Sequence, residues 1–471
     1  MSRLRGYGTA VSFAARLPGP LLPIGVMAAT AAGTGSMFTT ATLVCAALVG
    51  MSVGGPAASL LASRVGARNV LLVSAIVHVL MLVLMVSSID RLTRQDTLTS
   101  DAVIYGLLLV FAAVAGLSAP ATATFSRAHR WAPATLPTQA DPGVRAGLRS
   151  EVRLDDAALI AAPLMVAALS FGVGPTAGLL TSAVLTASAV PLFAVNRALP
   201  DVASIEAARS PLGGVEHAQQ LLLEHRGLAP EALPDRVGLP AEVEEEAMAE
   251  NPRSSEGSVA SGAGWVRGLL AAALLAAALG GVLGALWITV LGSAQMLPRP
   301  SLFTVPMGLI AAASVLAGRA NSQAFSSPLL LRRRRLHVTV LLGLSLVLLA
   351  VGTLASTPGS FLVLSALCVL SAVMLGRLSV ALYASLGAGA PVERLPHAMS
   401  AVSGGLLLGV CLGLTLAGIA ADELGYGWST LVAVSGSLVA VVVVLGGQLW
   451  GTPGPVEPQT STRREPWAGS A

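Results

Sequence analysis

Residues 41–88 read ATLVCAALVGMSVGGPAASLLASRVGARNVLLVSAIVHVLMLVLMVSS. Two apolar runs, 41–62 and 68–88, flank the short turn Ser63-Arg64-Val65-Gly66-Ala67. Each run has the length that carries an α-helix across hydrocarbon, about 20 residues within a range of about 17–25. Neither alternates with period two, so neither is a strand of a membrane barrel. Gly66 supplies the backbone freedom that so tight a turn needs. Arg64 and Arg68 fall where anionic lipid headgroups would meet them.

The same pattern continues in both directions. Runs of span length lie at 17–37, 41–62, 68–88, 102–124, 154–171, 174–195, 266–291, 301–319, 336–356, 361–386, 398–421 and 428–449. The chain of 471 residues is 54% hydrophobic and 11% charged, with mean hydropathy +0.77. A soluble domain carries about 25% charged residues, so much of this surface does not face water. One anchor on a soluble enzyme would not move the average this far. Arg3 and Arg5 followed by an apolar stretch imitate a secretory signal. That stretch runs on for a full span without a polar cleavage region, so an uncleaved first helix is expected.

Arginine placement sets the orientation. With the N-terminus inside, 24 of the 28 arginines fall on the cytoplasmic side and three (Arg91, Arg94, Arg299) outside, leaving Arg377 within a span. That bias follows the positive-inside rule and predicts both termini in the cytoplasm. The chain has no Lys, which fits the codon usage of a GC-rich, bacterial genome, so a bacterial plasma (inner) membrane is the expected location. Net charge +4 and a pI near 9.4 suit basic loops at a membrane, not nucleic-acid binding.

A change of composition divides the chain. Residues 197–263 contain no spanning run and hold 12 of the 24 acidic residues, including Glu242, Glu244, Glu245 and Glu246. The predicted organisation is a six-helix half over 1–196, an acidic cytoplasmic linker over 197–263, a second six-helix half over 264–450 and a disordered tail over 451–471. The halves share little sequence; Gly116 aligns with Gly376. Cys45, Cys368 and Cys411 lie inside apolar runs without metal or redox spacing and are read as packing residues. No phosphate-cradling Gly-Lys loop, metal cluster or Ser/His/Asp constellation is present. Neither an enzyme nor a cofactor is expected.

The turn Ser59-Leu60-Leu61-Ala62-Ser63-Arg64-Val65-Gly66-Ala67-Arg68 resembles the loop signature of the major facilitator superfamily, G-x-L-A-D-R-x-G-R-R. Ser59 stands for its first Gly, Ser63 for its Asp and Ala67 for an Arg. In that family the Asp helps latch the two halves together. Arg16-Leu17-Pro18, Gly116-Leu117-Ser118-Ala119-Pro120 with Arg127 and Arg130, and Glu151-Val152-Arg153-Leu154-Asp155-Asp156 with Ala162-Pro163-Leu164 resemble an actinobacterial-type branch of the same superfamily. Pro163 among Ala158, Ala162 and Ala167 is similar to the fifth-helix signature of drug/proton antiporters, where the small positions are Gly. Gly409, Gly413 and Gly418 form a small-residue stripe suited to close helix packing. The resemblance implies an all-α polytopic membrane protein, with twelve transmembrane helices in two six-helix halves around a central cavity.

Ionisable groups inside a span cost roughly 2.5–3.5 kcal/mol each on insertion scales, which makes them functional candidates. Asp155 and Asp156 open the fifth span, and Glu151 lies one turn earlier on the same face. Partly dehydrated carboxylates can load and release protons, although a helix N-terminus also favours acids for structural reasons. Arg377 lies about ten residues into the tenth span, roughly 15 Å at about 1.5 Å per residue. The resemblance implies that the tenth span lines the cavity, where Arg377 would bind an anionic group or pair with Asp155 or Asp156; a structural cap on backbone carbonyls is the alternative. His78 in the third span reads as a packing residue. The function expected is proton-coupled efflux of a small molecule by alternating access. An importer of an anionic solute and a non-transporting receptor or assembly protein stay open as alternatives.

Overall fold

A computed structural model of the protein describes residues 9–94, 101–131, 142–196, 262–297, 300–324, 334–355, 357, 360–389 and 395–446. The acidic linker and the C-terminal tail lie outside the described residues, except for the linker's last two positions, which begin a helix. Among the described residues there is no strand. The first half contains α1 (Pro18–Thr34), α2 (Met37–Val65), α3 (Ala67–Arg94), α4 (Asp101–Leu117), α5 (Thr122–Trp131), α6 (Pro142–Gly172) and α7 (Ala177–Asn196). The second contains α8 (Gly262–Gln295), α9 (Thr304–Ala324), α10 (Arg334–Ala355), α11 (Phe361–Gly389), α12 (Leu395–Leu424) and α13 (Ser429–Leu445). Among the described residues, eleven helices are long and apolar enough to cross a membrane, and Thr304–Arg319 is a shorter apolar one. The protein is a multi-pass membrane protein of two six-span halves.

Local chemistry sets the helix ends. α1 starts at a proline, which needs no amide partner there, and stops at Gly35, whose φ of 68° only glycine adopts freely. Gly66 has φ 85° and turns the chain from α2 into α3 without an intervening loop. The fourth predicted span is broken. α4 ends at Leu117 and α5 restarts at Thr122, because Pro120 lacks an N–H and pushes its predecessor out of helical geometry. The fifth span is longer than its apolar stretch, since α6 already begins at Pro142. Glu151 and Arg153 are therefore helical residues rather than loop residues.

Within the first half α2 packs on α4, α3 on α7, and α1 on both α6 and α7. The second half repeats this six spans later: α9 on α11, α10 on α13, and α8 on both α12 and α13. Glycines carry the repeat. A Cβ at Gly116 would strike the Ala47 carbonyl of α2, and one at Gly376 would strike the Ser314 carbonyl of α9. Both positions thus bring the fourth helix of a half onto the backbone of its second. His78 is fully buried, with Nδ1 2.8 Å from the Ala115 carbonyl, and ties α3 to α4.

α8 and α12 approach closely. Gly405, Gly409 and Gly413 lie on the carbonyls of Ala273, Ala277 and Gly281, while Gly280 and Gly284 meet Leu406 and Val410. Gly418 does something different: it touches Met37 and Phe38 of α2, in the other half. Gly409→Leu should force α8 and α12 apart at a cost of about 1–3 kcal/mol, the usual range for overpacking. Its melting temperature in detergent should fall accordingly. Gly404→Leu, where a Cβ meets nothing within 4 Å, should melt like the parent.

Candidate functional site: a cleft and two charged seams between the halves

The halves touch along two principal seams, α2 with α12 and α6 with α9. These helices carry the same ordinal places in the two repeats, so the seams exchange when the halves do. The start of α1 and the end of α13 lie at one face of the bundle, called here the terminal face; the α1–α2 turn lies at the opposite face.

At the opposite face the first seam is closed by a carboxylate. Asp422, at the end of α12, accepts from the Met37 amide (2.8 Å), the Phe38 amide (3.0 Å) and Ser36 Oγ (2.8 Å). The first amides of α2 have no partner within their own helix. Ser36 caps one of them, Thr39 N, at 3.1 Å; Asp422 caps two more from the other half. Further along, Gly418 lies against Met37 and Phe38, and Cys45 Sγ reaches the Cys411 carbonyl (3.4 Å) and Thr415 Oγ1 (3.6 Å).

Beyond Cys45 the seam opens. At about 100° per residue, Phe38, Ala41, Cys45, Val49, Ser52 and Pro56 share one face of α2. On α12, Asp422, Gly418, Thr415, Cys411, Leu408 and Gly404 do the same. Val49, Ser52, Pro56, Leu408 and Gly404 are all exposed. Ala41 and Gly418 are buried and Cys45, Cys411 and Thr415 half-buried, with Phe38 and Asp422 exposed at the rim; the stripes meet towards the opposite face and are bare towards the terminal face, which defines a cleft between the halves. Ser63, which stands where the family's latching Asp would be, donates within its own helix to Leu60 O at 2.7 Å. Arg64 and Arg68 are exposed beside Gly66.

The second seam carries an ion pair. Arg319 of α9 donates to Asp156 Oδ2 of α6 from Nε (3.0 Å) and Nη2 (2.6 Å). Leu164 packs against Gly308 further from the terminal face. Pro163 is buried inside α6.

Behind this seam, inside the first half, lies a buried charge cluster. Arg16 Nη1 donates to Ser12 O (3.1 Å) and Ser12 Oγ (2.5 Å), and Nη2 donates to Glu151 Oε2. Asp155 Oδ1 lies 2.7 Å from Arg16 Nε, an ion-pair contact. Ser126 Oγ donates to Glu151 Oε2 at 2.6 Å. The Glu151 side chain is 0% exposed and that of Asp155 23%, so Glu151 is interior while Asp155 reaches the edge of the cluster. Thr122 Oγ1 donates to Ala15 O (3.0 Å), fastening α5 to the turn that presents Arg16.

Two expectations need correction. Asp155 and Asp156 do not pair with Arg377; their partners include Arg16 and Arg319 respectively. Arg377 is exposed and has no partner among the described residues. Near it on α11, Gly376 and Val380 contact α9, while Met374 and Leu378 lie beside α10 residues. At about 100° per residue the Arg377 side chain leaves α11 between α9 and α10, on a flank away from the α6–α9 seam. Sequence reasoning passed over Arg16, Arg319 and Asp422. Arg16 was read only as the opening of the first span, and Arg319 was only the last residue of the 301–319 run. Its position at the end of an apolar run was the available signal.

No protein-family model and no curated protein sequence matches the chain. Solved structures do. A bacterial homologue of the iron transporter ferroportin, in an inward-facing state, superposes with TM-score 0.63 at 15% identity, covering 95% of this chain and 99% of the other. The nucleoside transporter NupG gives 0.59 at 12% identity over 93% and 98%. A POT family transporter in complex with 5-aminolevulinic acid gives 0.57 at 14% identity over 94% and 96%. The chain therefore has the major facilitator fold over most of its length.

The two charged sites make separable predictions. Arg16→Met leaves Glu151 buried without its cation and should cost about 3–5 kcal/mol of stability, whereas adding Glu151→Leu should return most of it. Thermal unfolding in detergent reads both. Asp422→Ala removes a cap worth about 1 kcal/mol. It should speed hydrogen exchange at the Met37 and Phe38 amides about fivefold, with the rest of α2 unchanged.

Proposed function

We propose that the chain is a secondary transporter that moves a small molecule by alternating access, most simply as proton-coupled efflux, with the terminal face in the cytoplasm of a bacterial cell. One observation carries the reading: the α2 and α12 stripes are packed at one end and bare at the other. A cleft closed at one face by a polar cap, rather than by a continuous core, is suited to close at the other face instead. Alternating access is a two-state equilibrium biased by ligands, and the Asp422 cap and the Asp156–Arg319 pair are contacts between halves that such an equilibrium would break and remake.

Proton coupling rests on Glu151, Asp155 and Asp156. Glu151 and Asp155 share Arg16, and Asp156 directly follows Asp155 in the helix that meets α9. A proton arriving on Asp155 would concentrate the Arg16 charge on Glu151 and change the electrostatics beside the Asp156–Arg319 pair. The cargoes of the similar structures are theirs. Residues at this chain's cleft include Val49, Ser52, Pro56, Gly404 and Leu408, which suit a largely apolar small molecule with few polar groups.

Reconstitution into liposomes with an imposed pH gradient tests the function. Gradient-dependent flux of at least one compound in an efflux panel is expected, and its absence across the panel would remove transport as the reading. Asp156→Arg or Arg319→Asp alone should cut that flux about tenfold or more, and the double exchange should recover part of it. If single variants transport normally, the pair has no part in gating.

A further inference from the structure

The three cysteines occupy different environments. Cys368 is completely buried in α11. Cys45 and Cys411 are half-buried, and they lie opposite one another, one on each half of the molecule. Cys45 Sγ approaches the Cys411 carbonyl at 3.4 Å and Thr415 Oγ1 at 3.6 Å, so the two cysteines meet across the seam. Their height in the seam matters most. Towards the opposite face, the α2–α12 stripe is filled by Gly418 against Met37 and Phe38, then by the Asp422 cap. Towards the terminal face the next residues of both stripes, Val49 and Leu408, are exposed. The thiol pair therefore sits at the apex of the cleft, where small solutes entering from the terminal face reach the last point of contact between the halves.

We propose that Cys45 and Cys411 are a redox modification site, oxidised by a hydroperoxide to a disulfide that holds the two halves closed at the Asp422 face. One thiol, as thiolate, attacks the peroxide O–O bond, becoming a sulfenic acid and releasing water. The second thiol displaces hydroxide from that sulfur, forming the S–S bond and a second water. Two thiols thus lose two electrons and two protons to one hydrogen peroxide, and a dithiol reductant reverses the change. A disulfide asks for β-carbons about 3.5–4.5 Å apart. Cys45 Sγ lies 3.4 Å from the backbone carbonyl of Cys411 itself, which puts the second cysteine within reach of the first across the seam. Because the bond joins residues 45 and 411, it links the halves where alternating access would have to part them; this consequence rests on the transporter reading, whereas the thiol chemistry does not.

The test uses the purified full-length protein in nanodiscs, treated with hydrogen peroxide and then a thiol alkylator. Peptide mass spectrometry should find a Cys45–Cys411 cross-linked peptide, lost on treatment with dithiothreitol, and Cys368 should be unchanged. Hydrogen exchange at the Met37 and Phe38 amides should slow at least tenfold in the oxidised protein. It should return to the starting rate on reduction and be insensitive to peroxide in Cys45→Ser and Cys411→Ser. Oxidation that stops at sulfinic acid without a cross-link, or a cross-linked protein whose amides exchange at the reduced rate, would overturn the proposal. A cross-link with slowed exchange in a protein that moves nothing in liposomes would sustain the switch and sink the transporter reading alone.

Discussion

The contact between α8 and α12 is made backbone to backbone. Lipid tails are as apolar as leucine, so the spans gain little by hiding apolar side chains from them, and association rests on close packing and polar contacts. Glycines at 405, 409 and 413 give α12 such a face, turned permanently to α8. The face that meets α2 lies well round the same helix, with Gly404, Cys411, Thr415, Gly418 and Asp422. One helix thus offers an intimate surface to its own half and a sparser, more polar one to the other half. This difference in contact quality would let the molecule part along one plane and not the other.

The charges follow the same division. Arg16 and Glu151 are wholly inside one half and nearly dry, so their pairing belongs to the half's integrity; a lone buried charge costs several kcal/mol, while an intact pair contributes little net stability. Asp156–Arg319 and Asp422 join different halves and are partly wet. Partly solvated pairs are weak individually, which is what a reversible closure requires. Asp155 stands between the two groups, attached to Arg16 and adjacent to Asp156.

The fold was legible because the bilayer imposes it. Span length, the turn at Gly66 and the arginine bias depend on the solvent rather than on tertiary detail, and they predicted a twelve-span bundle before any packing was known. Pairing was not legible, for physical reasons. Arg16 lies at a helix start and Arg319 near a helix end, positions where arginine commonly reaches headgroups, so nothing local separates a buried cation from a snorkelling one. Arg377 misled in the opposite sense: its depth was readable, but its direction depends on which sides of α11 are covered by α9 and α10. Asp422 carried no local sign at all, because its partners are amides 385 and 384 residues away and a hydroxyl 386 residues away. The break at Pro120 and the early start of α6 moved boundaries without changing the architecture.

The arrangement at the start of α2 has a further consequence. That helix has two kinds of cap: Ser36, which belongs to it, and Asp422, which is lent by the other half. A helix whose end amides are satisfied only while a neighbouring body is docked does not keep a fixed first turn. When the neighbour withdraws, those amides turn to water or the turn unwinds. The length of α2 and the separation of the two halves are therefore one variable rather than two.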